Sequence, residues 1–301
     1  MSTATAGPIT YGEHTLSPRG DYTGRHADWT CAQDWARYTA AEHERYRRLY
    51  AARSRHIGDE AAPEVLHALG QLDAAEAIPR FDQVSERLRR ATGWELAPVP
   101  GLIPEDAFFA LLAQRRFPIT VWLREEDEFD YIVEPDVFHD FFGHVPLLFN
   151  RVFADYMQAF GAGGVKAQAL ARTDPALYGH ALEMMARLYW YTVEFGLIQT
   201  EGGLRIYGAG ILSSDAEPAH ALYAIAPARV GFGLERVMTS RYRIDAFQDT
   251  YFVIDSFAQL FEATAPDFTP LYAQLAARTP TAPGIVLPGE RLYRANLRLR
   301  A

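Results

Sequence analysis

"VEPDVFHDFFGHVPLLFN", residues 133–150, sets His139 and His144 five positions apart inside an apolar, aromatic run. On an α-helix of 3.6 residues per turn, positions i and i+5 point about 140° apart, so two such rings could not share a ligand. The residues around them suggest a way out. Gly143 can end a helix in the left-handed conformation, and Pro146 prevents the helix from continuing. His139 is then expected on the last helical turn, with His144 just beyond it, swung back toward the same point. One histidine in such a run reads as a packed core residue. Two together suit a metal, and a metal needs a third ligand.

The candidate is Glu194 in "MARLYWYTVEFGLIQ" (residues 185–199), a segment apolar nearly all round and hence expected to be buried. Between Leu188 and Ile198 it is the one ionisable side chain apart from tyrosines. A buried, unpaired carboxylate is costly, and a cation removes the cost. The competing reading pairs Glu194 with Arg187, although Arg187 has Glu183 one turn before it. Two imidazoles and a carboxylate leave coordination positions open, which suits non-haem Fe(II) and oxygen chemistry. Zinc is the rival, giving a hydrolytic site with Asp140 as general base. Phe138, Phe141, Phe142, Trp190 and Phe195 are expected to form a dry aromatic wall around the ion, which favours iron and an aromatic substrate.

The chain of 301 residues is 49% hydrophobic and 13% aromatic, which supports a substantial core. A net charge of −9 argues against nucleic acid or an acidic membrane as partner. Cys31 stands alone, so no internal disulfide forms, in keeping with a reducing cytoplasm. Neither a secretory signal nor an apolar run of spanning length is present. Residues 1–24 read as a flexible N-terminal arm and 25–301 as a single catalytic domain. Helical patterns fall at 32–55, 61–73, 81–91, 104–117, 150–161, 174–199, 217–225 and 255–263. Extended segments are expected at 118–124, 204–207, 250–254 and through most of the last thirty residues. The fold class is mainly α (α+β).

"EPDVFHDFFGHVPLL", "LYWYTVEFGLI" and "YGAGILSS" resemble, in order, signature segments of the pterin-dependent aromatic amino acid hydroxylases, in particular the single-domain bacterial phenylalanine hydroxylases. The resemblance extends from about Thr30 to the C-terminus and includes "TGWELAPVPGLIPEDAFFALLAQRRFP" and "FQDTYFVIDSF". It implies a basket of helices with a few short strands. It implies hydroxylation of L-phenylalanine to L-tyrosine, with tryptophan or tyrosine as alternative substrates of the same chemistry. It makes His139, His144 and Glu194 the Fe(II) ligands, tetrahydrobiopterin or a related reduced pterin the electron donor, and O2 the co-substrate.

Carried over residue by residue, the resemblance gives the pterin backbone contacts at Gly101 and Ile103 and a stacking ring at Phe108. Asp140 stands beside the first ligand, where many relatives carry Glu, so its contact with the pterin would be direct or through a water. Arg124 would pair with the amino acid's carboxylate, a good use of a bidentate guanidinium. Pro135, Trp190 and Phe195 would line the ring pocket. Ser213 would border the substrate and support His139, and Tyr189 would stand behind Trp190. The length implies a monomer without the regulatory domain or tetramerisation helix of the animal enzymes.

Overall fold

The computed structural model describes residues 7–11, 13–129, 132 and 134–297. Thr39 opens the helix Ala40–Ser54: its hydroxyl accepts the Glu42 N–H, and the Glu42 carboxylate accepts the Thr39 N–H at 2.8 Å. This reciprocal cap satisfies two donors that a helix start otherwise leaves without partners. Helices Pro63–Leu72 and Phe81–Thr92 follow, turning Val65, Leu69 and Leu72, and Phe81, Val84 and Leu88, into the core. Gly93, at φ 79°, closes the second of them by giving its N–H to the Leu88 and Arg89 carbonyls.

The chain then enters the strand Glu95–Val99, which pairs in parallel with Arg116–Thr120 across the helix Glu105–Ala113. The strand expected over 118–124 thus begins and ends earlier. Its partner strand finishes at Val99, and the Val121 N–H on the Val99 carbonyl is the last rung.

The helix Arg151–Thr173 runs well past the expected end at 161, straight through "GAGG". Glycine there serves close approach. A Cβ on Gly161 would collide with the Ala113 backbone, and one on Gly164 with the Phe109 ring, so the helix lies directly on Glu105–Ala113. The helix expected over 174–199 divides into Pro175–Tyr178, Ala181–Tyr189, a wide turn at Trp190–Glu194 and the strand Leu197–Thr200.

That strand sits in a four-stranded mixed sheet, ordered Gly203–Ile206, Leu197–Thr200, Thr250–Ile254, Ala228–Gly231. Helices Glu217–Tyr223 and Phe257–Thr264 stand near their expected places. The strand Ala228–Gly231 and the helices Ala209–Leu212, Leu234–Met238 and Thr269–Leu275 were not foreseen, being too short to show a period. The result is a mainly helical fold with small sheets. Among the described residues no helix is long and apolar enough to cross a membrane.

Residues 1–6 and Gly12 of the expected arm lie outside the described residues. The remainder makes contacts with the body. Ile9–Tyr11 pairs antiparallel with His14–Leu16, and residues beyond it dock on the loop around Gly101.

Candidate active site

The two histidines owe their meeting to the backbone. Asp136 caps the short helix Val137–His139, its Oδ1 accepting the His139 N–H at 2.9 Å. The chain then widens into a π turn, Asp140–His144, closed by the Val145 N–H on the Asp140 carbonyl. Where the ring of hydrogen bonding spans i to i+5, residues five apart return to one side. The His139 and His144 rings accordingly lie 5.0 Å apart at 82°. Gly143 does not end the helix in the left-handed region, as the sequence suggested; its φ is not positive. Its missing side chain makes room instead, since a Cβ there would lie 2.7 Å from the Cβ of Ala209.

Glu194 closes a second π turn, Trp190–Glu194, with the Phe195 N–H on the Trp190 carbonyl at 2.8 Å. Its two oxygens reach both imidazoles, Oε1 at 3.2 Å from His144 Nε2 and Oε2 at 3.6 Å from His139 Nε2. Donors each about 2.1 Å from one cation, at roughly right angles, stand about 3 Å apart, so this spacing is close to that of a shared ion. Arg187 is not the partner of Glu194; it meets Glu13 at 2.9 Å and Glu183 at 3.3 Å.

Burial opposes charge on Glu194, yet the His144 and His139 imidazoles and the Gly210 N–H hold it below its ordinary value. Burial pushes His139 down to about 4, against the pull of Glu194. His144 is raised: burial acts to lower it, and the Glu194 carboxylate overcomes that. The Ser213 hydroxyl donates to the Ala209 carbonyl at 2.9 Å and accepts from His139 Nδ1 at 2.8 Å. The proton on Nδ1 leaves Nε2 with its lone pair toward Glu194, the state a metal requires.

A second carboxylate stands nearby, for donor atoms of His139, Asp140 and His144 lie within 4.8 Å of one another. Asp140 Oδ2, however, accepts the Thr120 N–H at 2.7 Å, and burial pushes this carboxyl up to about 7. Glu194, which spans both imidazoles, is the better third donor.

These groups open on a cavity of about 790 Å³. Its lining includes His139, His144, Glu194, Gly101, Ile103, Phe108, Asp140, Arg124, Pro135, Trp190, Phe195, Ser213 and Tyr189, the residues that the resemblance assigned to metal, pterin, substrate and their support. The aromatic wall differs from expectation. Phe138, Phe141 and Phe142 are wholly buried in the core behind the π turn, and Phe109, Phe117, Phe160 and Tyr242 join Trp190 and Phe195 on the cavity instead.

Arg124 is neither solvated nor free. Its Nε and Nη2 each meet a carboxylate oxygen of Asp136 at 2.9 Å, while Arg45 takes its carbonyl and Glu125. Asp136 is fully buried, and against that burial Arg124 holds its carboxyl low. The edge of the guanidinium carrying Nη1 is not engaged by Asp136. Sequence reasoning missed Asp136, although Asp three residues before His139 is helix-cap spacing. It also missed Glu134, which accepts the Leu102 N–H at 3.1 Å, and Gln248, which accepts the Trp190 indole N–H at 3.0 Å. Nothing local marks either residue.

Comparison with known proteins matches residues 32–269 to the model of the biopterin-dependent aromatic amino acid hydroxylases. The chain is 54% identical over 270 residues to a phenylalanine-4-hydroxylase of Chromobacterium violaceum, covering 89% of this chain and 88% of that one. It is 34% identical over 226 residues to a human tyrosine 3-monooxygenase, covering 73% of this chain and 41% of that one. The crystal structure of the Chromobacterium violaceum phenylalanine hydroxylase with bound oxidised Fe(III) superimposes with a TM-score of 0.84, covering 89% of this chain and 95% of that one. The chain belongs to the biopterin-dependent aromatic amino acid hydroxylases.

Proposed function

We propose that this protein is a phenylalanine 4-monooxygenase, converting L-phenylalanine to L-tyrosine with O2 and a tetrahydropterin at a ferrous ion held by His139, His144 and Glu194. The observation that carries the reading is the convergence of those three side chains, from the end of a short helix and two π turns, on one aromatic cavity. Two imidazole nitrogens and a carboxylate, spaced as described, fit a 2-His-1-carboxylate ferrous site. Zinc hydrolysis with Asp140 as base fits less well, because an oxygen of that carboxylate is already committed to the Thr120 N–H.

When bound, iron and reduced pterin supply the activation of O2 and the electrons for ring hydroxylation. The chain's own residues do the rest. Gly101 and Ile103 present backbone to the pterin and Phe108 its ring; Phe108 is itself held edge-on to Tyr189 at 5.3 Å. Asp140, held by Thr120 on the cavity lining, would meet the pterin directly or through a water. Arg124, fixed by Asp136, takes the substrate carboxylate with the rest of its fork. Pro135, Trp190 and Phe195 receive the aromatic ring, Ser213 keeps His139 in its tautomer, and the apolar lining excludes water. The protein is read as a cytoplasmic monomer, which its lone Cys31 suits.

Product analysis tests this. Iron-loaded protein, with a tetrahydropterin and each of the three aromatic amino acids in turn, is expected to form tyrosine from phenylalanine. Faster product formation from tryptophan or tyrosine would move the substrate; no product from any of them would end the reading.

A further inference from the structure

Residues 13–22 border the cavity and are anchored at both ends. At one end Glu13 Oε1 meets Arg187 Nη2 at 2.9 Å and Arg241 Nε at 3.7 Å. Arg187 is 2% exposed and draws its charge compensation from Glu13 and Glu183. At the other end Glu134 Oε2 accepts the Arg19 backbone N–H at 2.7 Å, and the Tyr22 hydroxyl donates to the Leu102 carbonyl at 2.7 Å. Gly20, at φ 98°, lies so close on the Pro100 carbonyl that no Cβ fits. Between these anchors His14 and Leu16 line the cavity.

The His14 ring lies 4.9 Å from that of Tyr242. Tyr242 stacks on Trp190 at 4.4 Å and 18°, and Trp190 lies 4.6 Å from Phe195. One unbroken run of ring contacts therefore leads from the strap to the pocket for the substrate ring. Residues 13–22 also fall outside the segment, 32–269, that the family model matches.

We propose that this strap is a specificity-determining wall of the substrate cavity: Glu13, latched on Arg187 and Arg241, holds His14 against Tyr242 and so sets the plane of Trp190, while His14 and Leu16 keep water from the bound ring. It rests on the phenylalanine 4-monooxygenase reading above. Burial lowers His14 below its ordinary value, against Glu13 and Asp245, so at neutral pH it meets Tyr242 as an uncharged ring. Glu13 and His14 are positioning residues; neither is asked to move a proton.

The test compares the unaltered chain with Glu13→Gln, His14→Ala and the double variant, all iron-loaded. Equilibrium dialysis gives the Kd for L-phenylalanine without turnover. Steady-state kinetics give kcat, the KM values of amino acid and pterin, and tyrosine formed per tetrahydropterin oxidised. In the double variant the Kd and KM of L-phenylalanine are expected to rise about tenfold, with a much smaller change in kcat. Tyrosine per pterin is expected to fall by about half as water enters. Pterin KM and iron per chain should stay at their original values, which a general loosening of the fold would not allow. Unchanged Kd and coupling, or equal losses in pterin KM and iron content, would overturn the proposal. If the unaltered chain binds L-phenylalanine yet makes no tyrosine, the assigned activity falls, and dialysis alone decides the strap: weakened binding supports it, unchanged binding overturns it.

Discussion

The candidate metal cradle and the N-terminal strap border the same cavity and are built on opposite principles. In the cradle the decisive steps are local. Asp136 caps the helix that delivers His139, a π turn returns His144 to the same side, and a second π turn delivers Glu194. Each wide turn gives up regular i→i+4 bonding, a departure associated with functional positions. In the strap the anchors are long-range: Glu13 reaches Arg187, Arg19 reaches Glu134, and Tyr22 reaches Leu102. The cradle therefore tolerates little change to its own residues, while the strap depends on contacts with distant ones.

Glu194→Gln probes the cradle most severely. Replacing the one anionic donor with a neutral amide should cut iron per chain and turnover by more than the roughly 10–100-fold that follows loss of a supporting partner. Turnover near the original value at full iron loading would remove Glu194 from the ligand set. Arg124→Ala comes next. It removes a substrate contact and also strands the buried Asp136 carboxylate, so a loss of about 3–5 kcal/mol in unfolding free energy should accompany a raised KM for the amino acid. Denaturant unfolding beside steady-state kinetics checks both parts. A KM rise confined to the pterin would reassign the residue.

Gly143→Ala separates packing from backbone conformation. With the new Cβ pressed on Ala209, a cost of about 1–3 kcal/mol is expected in denaturant unfolding, with weakened iron binding. A neutral result would show that the close approach relaxes freely. Ser213→Ala should do least, lowering metal affinity by about tenfold through loss of the hydrogen bond to His139 Nδ1, read by competition with a chelator. Unchanged affinity would mean that packing alone holds the His139 ring.

Much of the cradle was legible beforehand because its chemistry sits in conspicuous residue types: paired histidines in an apolar run and one acid in an apolar segment. The mechanism of convergence was not legible. Gly143 looked like a helix terminator, whereas its small size serves contact with Ala209, a residue far along the chain. The same holds for the glycines at 161 and 164: the helix expected to end at 161 runs on through them, and their small size admits a neighbouring helix. Phe138, Phe141 and Phe142 shared the histidines' stretch, so the sequence grouped them with the site, but the turn points them into the core. The Gly, Pro, Ser and Thr content of residues 1–24 reports low intrinsic order and says nothing of the distant partners that Glu13, Arg19 and Tyr22 meet.

The residue pattern alone established a mainly helical fold and marked His139, His144 and Glu194 as candidate metal donors, because helical period and donor chemistry are properties of residue type and spacing. The family came from the resemblance of whole segments. Tertiary structure decided which carboxylate faces both imidazoles, that Arg124 is fixed by Asp136, and that His14 and Leu16 line the cavity. Those outcomes depend on distances between segments far apart in the chain, and no local pattern encodes such distances.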